Sequence, residues 1–180
     1  MSAISVAGDT SGTCTLQAPA VAGSTVLTLP ATSGTVMVNG PAFSAYASAS
    51  LSITSATDTK VNINTVIFDT ASCFSTANNR FTPTVAGYYQ INGCIRSNAT
   101  SLINASSAVY KNGSLYMQGG TLNTAAISAS QMVVINTVVL LNGSTDYLEL
   151  WGTITGTSPS FNYLSVTSTS TFSAALLRSA

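Results

Sequence analysis

The fifteen residues Asn78-Asn79-Arg80-Phe81-Thr82-Pro83-Thr84-Val85-Ala86-Gly87-Tyr88-Tyr89-Gln90-Ile91-Asn92 constrain this chain more than any other stretch. They read as a strand that ends at Phe81, a tight connection bracketed by Pro83 and Gly87, and a second strand that opens on paired tyrosines. Proline presets one backbone angle and glycine accepts conformations that other residues resist, so the pair favours a sharp reversal. Two strands joined in this way belong to an antiparallel sheet.

The rest of the chain follows the same pattern. Residues 41–180 alternate β-prone segments with turn residues, and no helical period survives over a useful length. Candidate strands are Ala42–Tyr46, Val61–Phe68, Ser72–Phe81, Tyr88–Ser97, Ala108–Lys111, Ser114–Gln118, Gln131–Leu141, Asp146–Thr153 and Thr169–Arg178, rich in Val, Ile, Thr and aromatic residues. Lys111-Asn112-Gly113-Ser114 is a two-residue hairpin signal, and Asn142-Gly143 opens another turn. Residues 1–40 differ. Gly12-Thr13-Cys14-Thr15-Leu16 is echoed by Ser24-Thr25-Val26-Leu27-Thr28-Leu29, and Thr35–Val38 is a third short strand candidate. That segment is too thin to bury a core alone, so it is expected to form an extended β arm that needs copies of itself or a docking surface. The expected organisation is an arm over residues 1–40 and a head over residues 41–180.

Successive antiparallel connections alternate between the two ends of a sheet stack. Thr82–Gly87, Asn112-Gly113 and Asn142–Thr145 are short, whereas Asn98–Ser107, Gly119–Ser130 and Ile154–Ser168 are long. Short turns are therefore expected at one end, together with the C-terminus, and long loops at the other.

Composition narrows the function. Only 6% of the 180 residues are charged, against about 25% in an ordinary soluble domain, while 46% are hydrophobic. A monomer with so few charges is poorly protected against self-association, which points to life inside a permanent assembly. Five basic and five acidic residues cancel, and no Lys/Arg cluster offers a footprint for nucleic acid. The longest apolar run, Met132 to Leu141, is broken by Asn136 and too short for membrane insertion. Met1 to Thr10 does not read as a secretory signal, so the sequons at Asn98, Asn104, Asn112 and Asn142 are expected to be unmodified. Cys14, Cys73 and Cys94 lack metal spacing, and their odd number argues against a simple disulfide framework. With no histidine, every Ser-His-Asp, Cys-His or His-metal arrangement is excluded. Asp69 and Asp146 read as turn residues, and odd spacing sets Asp146 and Glu149 apart as a glycosidase pair. No cofactor is expected.

Several segments resemble one family in the right order. Pro41-Ala42-Phe43-Ser44-Ala45, Phe68-Asp69-Thr70, the Asn79–Tyr89 stretch, Val109-Tyr110-Lys111-Asn112-Gly113, Leu140–Leu150 and Phe172-Ser173-Ala174-Ala175-Leu176-Leu177 are similar to complement globular-head (C1q-type) domains. The resemblance implies an all-β, antiparallel jelly-roll sandwich of about ten strands, of the tumour-necrosis-factor type, assembled as a homotrimer. The chain departs from that family in lacking a collagen stalk and in its shortage of charge, which points away from a secreted complement-like role. Asp9–Thr13, Leu16–Ala20 and Leu29–Thr35 instead resemble short β segments ahead of such heads in bacteriophage tail fibres.

Alternation along a strand separates a core face, Tyr89, Ile91, Gly93 and Ile95, from an outer face of Tyr88, Gln90, Asn92, Cys94 and Arg96. Leu148 and Leu150 likewise oppose Tyr147, Glu149 and Trp151. Aromatics with a polar tip are enriched at interfaces, so Tyr88, Gln90, Tyr147 and Trp151 are the expected trimer contacts. Asn98, Asn104, Asn123, Phe161 and Tyr163, in the long loops, are the expected contacts to a host surface glycan or protein. The whole reads as a non-enzymatic virion protein: a trimeric fibre head assembled in the host cytoplasm, anchored through residues 1–40 to other virion proteins on the tail or capsid exterior. A capsid decoration protein is the alternative.

Overall fold

The computed structural model describes residues 3–7, 10–17, 40–164 and 169–180, and the chain divides into two units, Met1–Thr35 and Val36–Ala180. In the first unit, β1 (Ala3–Ala7) and β2 (Thr13–Gln17) form an antiparallel hairpin. The expected strands Ser24–Leu29 and Thr35–Val38 lie outside the described residues.

The second unit contains β3 (Ala42–Tyr46), β4 (Leu51–Ser52), β5 (Thr59–Lys60), β6 (Thr65–Asp69), β7 (Phe74–Ser75), β8 (Arg80–Phe81), β9 (Gly87–Lys111), β10 (Ser114–Leu141), β11 (Leu148–Phe161) and β12 (Thr171–Ser179). All pairings are antiparallel. Two long strands each serve both layers of a sandwich. The first half of β9 lies between β12 and the second half of β10, with β3 and β6 beyond β12; these five form sheet I. The second half of β9 lies between β11 and the first half of β10, with β4, β5 and β8 on the far side of β11, and these form sheet II. The crossing of β9 is visible at Ser101, where φ is +55°. Ala99 and Leu102 are both buried there, so the inward–outward alternation slips by one residue. Register shifts between Asn123 and Ala129 mark the crossing in β10.

The two inner faces meet in one core. Phe43 stacks on Phe74 and Phe81 with ring centroids 4.6 and 4.7 Å apart, and meets Phe172 edge-on at 5.3 Å. Leu150 of sheet II fills the space that a side chain at Gly93 of sheet I would take. Tyr89, Ile91 and Ile95 are fully buried, in line with the expected core face of that strand.

Several expected boundaries shift. Asn98–Ser107 and Gly119–Ser130 are not loops: both are strand, because β9 and β10 pair across most of this region while β11 pairs along the other side of β9. Ile154–Phe161 is likewise strand, and Phe161 is core rather than loop. The expected strand Val61–Phe68 is broken, because the chain leaves sheet II after β5 and joins sheet I at β6, burying Val61 and Ile63 on the way. Ser72–Phe81 is two short bridges separated by a turn at Thr76–Asn79.

The expected polarity holds. Gly87 pairs with Leu141 and Ser179, and the Ala180 amide donates to the Ala86 carbonyl at 3.1 Å. The Asn112 and Asn142 turns are tied together: Asn112 Nδ2 donates to Asp146 Oδ1 at 2.8 Å, and the Asn142 amide donates to Asp146 Oδ2 at 3.1 Å. Lys111 adds an ion pair to the same carboxylate at 2.9 Å. These partners, the Asn112 amide foremost, hold the Asp146 carboxyl below its ordinary range. Asn104 lies at the other end, paired with Asn123 and Thr155.

Candidate functional site

Three surfaces carry the residues singled out from sequence. The first is the outer face of sheet I. Register sets Tyr88 beside Leu140, Gln90 beside Val138, Asn92 beside Asn136, Cys94 beside Val134 and Arg96 beside Met132. Alternation that places Tyr89, Val139 and Ile135 in the core must point these neighbours outward. Tyr88 is 38% exposed, and Met132, Val134, Val138 and Leu140 are each about half exposed. Leu177 on β12 joins them, and Tyr88, Val138, Leu177 and Arg178 line a groove of about 370 Å³. Gln90 Nε2 faces the Thr137 carbonyl and Asn92 Oδ1, each at 3.4 Å. Burial pushes the Cys94 thiol up, so it remains protonated in this apolar setting.

Among the described residues β10 bonds only to β9, which makes it the edge strand of both sheets. Its first half exposes Leu115, Tyr116 and Met117 as well, so apolar side chains mark both arms of this edge. A long apolar edge is a liability that proteins keep only when something covers it.

The second surface is the outer face of sheet II. Glu149 is only 3% exposed, and its Oε1 meets Lys60 Nζ at 3.2 Å and Arg80 Nη2 at 3.0 Å. Trp151 Nε1 donates to Oε2 at 3.1 Å. Arg80 lies over the Tyr147 ring at 3.9 Å, and Tyr110 stacks on Trp151 at 4.4 Å. Asp58 accepts from Tyr110 Oη at 2.8 Å and from Thr153 Oγ1. Burial and the Asp58 carboxylate both raise the Tyr110 hydroxyl. The four expected trimer contacts thus fall into two pairs on opposite sides of the sandwich. Tyr88 and Gln90 lie with the apolar strip, whereas Tyr147 and Trp151 are engaged within their own chain. Sequence reasoning missed this cluster because Lys60 and Arg80 arrive from β5 and β8, short strands far from Glu149 in the chain.

The third surface is the end away from the C-terminus. Asn104 Nδ2 donates to Asn123 Oδ1 at 2.8 Å, and Asn98 Oδ1 accepts from Ser130 Oγ at 2.9 Å. The Tyr163 amide donates to Ser50 Oγ at 2.8 Å. Phe161, expected to meet a partner here, is 2% exposed and belongs to the core; this removes it from any solvent-facing contact. Exposed positions at this end that sequence reasoning passed over include Ser101, Ile103, Ser128, Thr157, Ser158 and Leu164. Ser and Thr carry no distinguishing signal in a chain so rich in both.

The carboxylates are all structural acceptors among the described residues. Glu149, Asp58 and Asp146 are engaged as above, and Asp69 accepts the Phe74 amide at 2.7 Å and the Ala71 amide at 3.3 Å. Such an arrangement holds turns and strands together and presents surfaces.

No protein-family model matches this chain, and no curated protein matches it in sequence. Solved structures do match. The globular domain of a zebrafish complement 1qA protein superposes with a TM-score of 0.54 at 15% identity, covering 78% of this chain and 99% of that one. The Eiger TNF of S. frugiperda gives 0.58 at 13% identity, covering 78% and 93%. Murine APRIL gives 0.57 at 10% identity, covering 77% and 100%. The head therefore has the antiparallel jelly-roll fold of these proteins.

Proposed function

We propose that this chain is a non-enzymatic structural protein whose head assembles as a homotrimer. The observation that carries the reading is β10. Among the described residues it is the edge of both sheets, and it exposes large apolar side chains on both of its arms. With Tyr88 and Leu177 alongside, that surface suits burial against further copies of the same chain. The shortage of charge supports the same view, since little else keeps such a surface soluble. A face of sheet I and an edge of sheet II are different surfaces, so contact between them is heterologous and forms a ring where the rotation between copies closes; the resemblance to complement heads supports closure at three copies.

The finer reading is a virion fibre head, anchored through the N-terminal unit and presenting the end that holds Asn98, Asn104, Asn123 and Tyr163 to a host surface. Three equal sets of weak contacts yield avidity there. The resemblance of the Asp9–Thr35 segments to fibre proteins supports it.

Light scattering tests the assembly. The expected mass is three chains, and Val138→Asp is expected to yield a folded monomer by circular dichroism. A wild-type monomer at micromolar concentration, or a variant that remains trimeric, would overturn the reading. Immunogold labelling of particles tests the role: a few trimers at the tail support a fibre, hundreds on the shell support decoration, and absence from particles refutes both.

A further inference from the structure

The N-terminal hairpin has two unlike faces. Register pairs Ile4 with Leu16 and Val6 with Cys14, so these four side chains share one face. The other face carries Ser5, Thr13, Thr15 and Gln17, with Ser5 Oγ 3.0 Å from Thr15 Oγ1. Ile4, Val6 and Leu16 are 67%, 59% and 62% exposed. A two-stranded hairpin is marginal in water unless its apolar face is covered. Asp9, between the two strands in sequence, is the one acidic or basic side chain of residues 1–17, and the face of Ile4, Val6, Cys14 and Leu16 itself carries no charge, so two such faces can meet without like charges opposed on them.

We propose that hairpins from different copies pack their Ile4, Val6, Cys14 and Leu16 faces against one another, forming a trimer contact separate from that of the head. The inference rests on the head trimer proposed above. Once three heads are joined, the hairpins are tethered, and tethering raises their effective concentration to about the millimolar range. A second copy is thus the partner each hairpin meets most often. Like faces around a closed threefold bury the strip of every copy at once.

Cys14 reports on this directly, because it lies on the apolar face. Purified protein treated with a short bis-maleimide should show a linked pair of chains on a denaturing gel. Cys14→Ser should remove that band. Moving the thiol to the polar face with Cys14→Ser/Thr15→Cys should also leave it absent, and Leu16→Asp should weaken Cys14 linkage several-fold without changing the mass of the head. A trimer by light scattering with no Cys14 linkage would overturn the hairpin contact and leave the head reading intact. Equal linkage from position 15 would overturn it too, since chance collision has no preferred face. A monomer without linkage overturns both readings.

Discussion

Tyr89 offers a test of how the turn signature supports the fold. Its ring is fully buried with Phe81 edge-on at 5.5 Å, and its hydroxyl donates to the Val85 carbonyl at 2.7 Å, so one side chain clamps the Pro83–Gly87 connection to the core. Burial, with a smaller contribution from Cys73, pushes the hydroxyl from 10.0 up to about 12. A group whose folded value is raised contributes stability that is complete below its unfolded value and is lost as pH rises toward the folded one. At about 1.36 kcal/mol per unit, the loss is about 1.4 kcal/mol by pH 11 and approaches about 2.7 kcal/mol above pH 12. Tyr89→Phe removes the hydrogen bond, at about 1 kcal/mol, and with it the titration. The wild type should therefore be the more stable protein at pH 8, and the order should reverse near pH 11. Urea unfolding at fixed protein concentration, followed by far-ultraviolet circular dichroism, measures the gap, and groups common to both proteins cancel in the difference. A gap that stays constant from pH 8 to pH 11 would refute the buried, neutral hydroxyl.

Other perturbations follow from the same geometry. Glu149→Gln removes the charge that Lys60 and Arg80 share; both cations are about a third exposed, so the expected cost is roughly 1–3 kcal/mol, less than for a fully buried pair, with altered Trp151 fluorescence as a local marker. Gly143→Ala and Gly113→Ala form a matched pair, since both positions have positive φ, +70° and +79°. A methyl at Gly113 meets only the Tyr147 hydroxyl at 3.4 Å, so roughly 1–2 kcal/mol is expected, whereas a methyl at Gly143 would overlap the Ala86 amide and should cost clearly more in thermal unfolding.

Much of the fold was legible because the signals were local. Ala42–Tyr46 forms the strand expected of it, Asn112-Gly113 makes the expected hairpin, and connection lengths placed the short turns at one end. The crossings were not legible. Asn98–Ser107 and Gly119–Ser130 look like loops because they are rich in Asn, Gly, Ala and Ser, which have weak β preference alone. They become strand because β9 is flanked on both sides, which satisfies backbone groups that a loop would leave to water. The candidate surfaces divide in the same way. Alternation identified the outward face of β9 at Tyr88 and Gln90, but it could not show that Arg80 and Tyr110 would cover Tyr147 and Trp151.

Sequence alone determined the class of fold, the order of its turns and which side chains face inward, because turn chemistry and alternation with a period of two act over a few residues. Only the tertiary structure decided that two strands bend from one sheet into the other, that Phe161 is core, and that β10 is the apolar edge of both sheets. Those outcomes depend on pairing between residues far apart in the chain, where no local pattern carries the information.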